Sequence, residues 1–109
     1  DSNLLSRQQR YRVTLVQVPP HRVLRAESWL IRIATPDGKP VTGGSVNVMG
    51  GMPEHGHGLP SQPTVQAGAG NGEYRIEGLS FNMPGWWEVS LYISHQKRDD
   101  TVTFNLIAG

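Results

Sequence analysis

Two imidazoles one residue apart, in the run Met52-Pro53-Glu54-His55-Gly56-His57, are the densest set of metal-ligating side chains in the chain. Residues two apart leave an extended backbone on the same side. A bend at Gly56 would also bring the rings together, because glycine adopts angles closed to other residues. Imidazole nitrogen binds copper and zinc, and thioether sulfur favours Cu(I). Met52 precedes His55 by three positions, and Met83 is available from a separate turn. The set Met52, His55, His57 and Met83 therefore offers two nitrogens and two sulfurs without a thiolate. It points to a copper ion as cofactor or cargo, Cu(I) preferred and Cu(II) possible.

Zinc is the alternative. It would take His55 and His57 with Glu54 and leave the methionines unused. His21 and Glu54 rank below the four principal residues. The same side chains also have plainer uses. A Gly/Pro-rich segment with two histidines describes many surface loops, and Met52 and Met83 could fill hydrophobic gaps. Met49 reads as packing at the end of a strand. His95 reads as solvent-facing, Trp87 as core, and Trp86 as more open.

The elements that must position these residues are strands. Proline and glycine punctuate the chain every ten or so residues, the spacing of an all-β protein. About seven strands are expected, near 11–18, 28–35, 45–49, 64–66, 73–77, 86–94 and 101–107. Trp87, Val89, Leu91 and Ile93 alternate with Trp86, Glu88, Ser90 and Tyr92. Such period-two alternation buries one face of a strand and solvates the other. Trp29, Ile31 and Ile33 alternate likewise, as do Val102, Phe104 and Leu106. Two sheets closed on those faces make the expected immunoglobulin-like two-sheet sandwich of antiparallel strands, with a small barrel as the alternative. Residues 11–109 are the expected single domain, and residues 1–10 read as an N-terminal extension, a candidate for disorder. Successive strands reverse direction. The connections 19–27, 50–63 and 78–85 therefore emerge at one end, carrying His21, Met52, His55, His57 and Met83.

Composition removes several function classes. The 109 residues contain no cysteine, which excludes disulfides, Cys-ligated zinc and thiol catalysis. Ten Lys and Arg face nine Asp and Glu without a long basic run, so a nucleic-acid partner is not expected. No apolar stretch approaches the length of a membrane span. There is no Gly-x-Ser-x-Gly elbow, no phosphate-binding glycine loop and no His-Glu-x-x-His helix, so no enzyme is expected.

Three segments carry a family resemblance: Gly51-Met52-Pro53-Glu54-His55-Gly56-His57-Gly58, Gly72-Glu73-Tyr74-Arg75-Ile76-Glu77-Gly78-Leu79, and Phe81-Asn82-Met83-Pro84-Gly85-Trp86-Trp87-Glu88. With them the chain resembles the FixH/YtkA-like family of small bacterial β-sandwich domains, loosely from Glu27 to Phe104. The resemblance implies an exported or membrane-anchored, periplasmic location and a link to copper handling or copper-oxidase assembly. Carried over by residue, it again points to Met52, His55, His57 and Met83. The membrane anchor of FixH proteins is not visible in this chain, which favours a free or differently tethered domain.

The expectation is a periplasmic copper-binding protein, acting as metallochaperone or as a tolerance and sequestration factor. It would be a monomer or weak dimer, and its partner an envelope cuproprotein or copper transporter. The alternative is a metal-free interaction or accessory domain of an envelope, oxidase-assembly complex.

Overall fold

The computed structural model describes residues 3–109. Its strands are β1 (Asn3–Leu5), β2 (Arg12–Gln17), β3 (Glu27–Ala34), β4 (Ser45–Met52), β5 (His57–Gly58), β6 (Thr64–Ala67), β7 (Glu73–Leu79), β8 (Gly85–His95) and β9 (Arg98–Ala108). One sheet has the order β1-β2-β3-β7-β6 and the other β5-β4-β8-β9, every pairing antiparallel. Without β1 and β5, the orders β2-β3-β7-β6 and β4-β8-β9 are those of a constant-type immunoglobulin sandwich.

The alternating faces meet between the sheets. Trp29, Ile31 and Ile33 of β3 and Trp87, Val89, Leu91 and Ile93 of β8 are buried. Trp29 meets Phe104 of the opposite sheet edge to face, with ring centres 6.3 Å apart. That geometry places the positive ring edge on a negative face.

Among the described residues the register shifts twice, in β2 between Leu15 and Gln17 and in β7. Trp29 pairs with Ile76, yet Glu27 pairs with Leu79, so β7 spends one extra residue there. Gly78 absorbs it at φ +79°. This bulge turns Leu79 inward, where it is fully buried.

Two strands were not expected. Asn3–Leu5 pairs with β2, so the segment assigned to an extension is the edge of the sheet. Ser6, Gln8 and Arg10 are then fixed to Asp100. Asp1 and Ser2 lie outside the described residues. The other new strand, β5, shortens the expected long loop. β4 runs on to Met52 and turns back at His57.

Candidate metal centre

The turn between β4 and β5 is tight. Met52 and His57 are register partners, and the carbonyl of Met52 accepts hydrogen bonds from the amides of His55 and Gly56, both at 3.0 Å. Gly56 closes the turn at φ +67°, where a side chain is strained. Partners in register point to the same side of a sheet. The inward residue Met52 thereby carries His57 toward the sandwich end.

His57 lies half-buried against the indole of Trp87, with ring centres 5.5 Å apart. Its Nδ1–H donates to the carbonyl of Gly58 at 3.2 Å. A carbonyl only accepts, so this bond fixes the tautomer and leaves the Nε2 lone pair outward. Nε2 lies 3.3 Å from Sδ of Met83. Two lone-pair donors thus face each other across a gap that suits a shared cation.

The spacing supports that view. With metal–nitrogen bonds of about 2.0 Å and metal–sulfur bonds of about 2.3 Å, donors on a tetrahedral centre lie about 3.5 Å apart. The ring of His55 is 6.1 Å from that of His57, tilted by 32°. Two imidazoles on one tetrahedral metal have centres roughly 5 Å apart, from bonds of about 2 Å plus each ring's radius, so His55 would close by about 1 Å. His55 is exposed, so its ring is free to turn.

Met83 is held from below. The indole N–H of Trp87 donates to its carbonyl at 2.9 Å, while Phe81 is fully buried against Trp87 with ring centres 5.1 Å apart. Trp87 is therefore core, as expected, and also pins the segment that carries Met83. The four-residue spacing from Met83 to Trp87 was the available signal for that second role.

Of the residues singled out from sequence, the structure joins His57 with Met83 and leaves His55 within reach. Met52 differs. It is 2 % exposed and belongs to the core, because strand alternation continues through Gly50. Its methyl lies 3.1 Å from the place a Cβ on Gly85 would occupy, so it floors the segment after Met83. Of the four principal residues, Met52 is the one held within the core.

His21 is at the expected end but committed elsewhere. Its Nδ1 is 2.7 Å from Oε2 of buried Glu27, and its ring packs on Trp29 and Phe81. Phe81 and Trp87 stand between it and His57. Glu54 is exposed. Among the described residues, no group of three or more His, Asp and Glu is arranged to hold a metal, so the zinc set of Glu54, His55 and His57 is not assembled.

Met49 also departs from expectation. It is 59 % exposed rather than packed, since it falls on the outward face of β4 opposite Ser90. Sequence reasoning missed Glu27 altogether. Its carboxylate accepts from the indole of Trp29 at 2.7 Å and holds His21. No local pattern marks such a buried acid.

A family model described as YtkA-like matches residues 6–92, a span that includes the β4–β5 turn, Met83 and Trp87. No curated protein and no solved structure matches the chain.

Proposed function

Because the chain belongs to the YtkA-like family, we propose that it carries a single copper ion, as Cu(I), between His57 and Met83, with His55 as a third donor. The observation that carries this reading is the 3.3 Å approach of Nε2 to Sδ, two donors without a proton between them in the tautomer that Gly58 selects. The donor set is soft and cysteine-free, which suits an oxidising, extracytoplasmic compartment. Few donors and an exposed third ligand suit hand-off or transient sequestration better than permanent storage. A cuproprotein or copper transporter of the envelope would complete the shell as it takes the ion.

Titration with Cu(I) against a competing chelator tests this. His57→Ala and Met83→Leu are each expected to weaken binding at least about tenfold, or about 1.4 kcal/mol. Met52→Leu should leave it within about twofold, because its sulfur serves packing. Equal affinity in wild type, His57→Ala and Met83→Leu would overturn the site. Zinc binding that ignores Met83→Leu would replace copper with an imidazole-bound metal.

A further inference from the structure

The loop between β2 and β3 carries a second surface that the metal reading does not use. Leu24 is 79 % exposed, and its φ is +66°. Leucine in that region of backbone space costs roughly 1 kcal/mol. Left in water, the apolar side chain gains nothing from burial to offset that cost. Leu24 stands outside the hydrophobic core, so core packing does not account for it.

The backbone is nevertheless fixed. The amide of Leu24 donates to the carbonyl of Phe81 at 2.8 Å, and that of Val23 to Gly109 at 3.1 Å. Arg22 and Arg25 flank the leucine, both exposed, and neither makes an ion pair among the described residues. The nearby acid, Glu27, is only 5 % exposed in its side chain and is held by His21 and Trp29. Arg22 and Arg25 also line a recess of about 360 Å³. Ile107, 69 % exposed, lies two residues before the Gly109 that pairs with this loop.

We infer that this loop docks on an anionic bilayer surface. Arg22 and Arg25 would bind lipid phosphates while Leu24 enters the interface between headgroups and acyl chains. A lone knob between two cations falls far short of the roughly 800 Å² that a stable protein interface buries on each partner. A fluid bilayer needs no matching shape, and unneutralised arginines favour its negative charge. Docking this way sets the loop end, with His57 and Met83, toward the membrane. The inference does not depend on copper.

Sedimentation with phosphatidylcholine vesicles, with and without phosphatidylglycerol, tests it on the metal-free protein. Binding is expected only with phosphatidylglycerol and should fall as salt rises. Arg22→Gln and Arg25→Gln should each weaken it about fivefold. Leu24→Gly should weaken it about tenfold while raising the melting temperature, because it removes the backbone strain. A merely structural leucine would not give those opposite signs. Wild-type protein that ignores phosphatidylglycerol vesicles, or variants that bind as wild type, would overturn the inference. Protection of this loop by an acidic protein without vesicle binding would assign it to a protein partner instead.

Discussion

The three methionines share one side-chain chemistry but serve three settings. Met52 is core, Met83 is a half-open donor beside His57, and Met49 stands in solvent on the outer face of β4. Residue type alone does not separate a soft ligand from a packing side chain, and neighbouring letters could not tell their burial apart. Stability separates them where metal binding is not measured. Met52→Ala removes a buried side chain and should cost about 2–4 kcal/mol. Met83→Leu and Met49→Ser should each stay within about 0.5 kcal/mol. Chemical denaturation of the metal-free variants checks both. Glu27 is the opposite case, a residue the sequence marks only as one more acid. Glu27→Ala would leave the Trp29 indole and His21 without their acceptor, at about 2–3 kcal/mol by the same measurement.

Strands with side chains on alternating faces were legible before any coordinates. β8, β3 and β9 announce themselves because tryptophan, isoleucine, valine and phenylalanine fill every second position. In the sequence the β4–β5 hairpin reads as a loop for an equally physical reason. Gly50 and Gly51 carry no side chain, so the pattern falls silent while the backbone goes on pairing with Val89 and Glu88. The same silence hid the inward direction of Met52. Gly85 shows how such a position governs the site. It sits at φ +125°, and an added Cβ would come within 3.1 Å of the Met52 methyl. Gly85→Ala must strain the backbone directly after Met83 and displace the floor beneath it. A loss of about 1–3 kcal/mol is expected in denaturation, together with a changed His57 ring environment in the proton NMR spectrum. An unchanged spectrum would separate the donor pair from the β8 bend.

At the scale of the whole molecule, one carboxylate fastens the two ends of the chain. By its neighbours Asp100 belongs to a run, Lys97-Arg98-Asp99-Asp100, whose charges cancel as on a solvated surface. It is instead buried, and accepts hydrogen bonds from the hydroxyl of Ser6 and the amides of Gln8, Arg10 and Thr101. Contacts spanning some ninety residues have no local signature, which is why the N-terminal segment passed for an extension. Burial by itself would raise this carboxyl. The bonds from Ser6, Gln8, Thr101 and Arg10 outweigh it and hold the group below the ordinary aspartate value. The sign of the pH effect follows. Above about pH 4 the aspartate is ionised in both states, and the folded protein has the full benefit of the clamp. As pH falls below that value the unfolded chain takes up the proton first, and stability drops until the folded carboxyl is protonated too. Asp100→Asn should therefore cost about 2–4 kcal/mol at neutral pH, with the gap to wild type closing as pH falls below the ordinary aspartate range. Thermal melts across that range, with hydrogen exchange at the amides of Gln8 and Arg10, would show whether the N-terminal strand is released as the clamp is protonated.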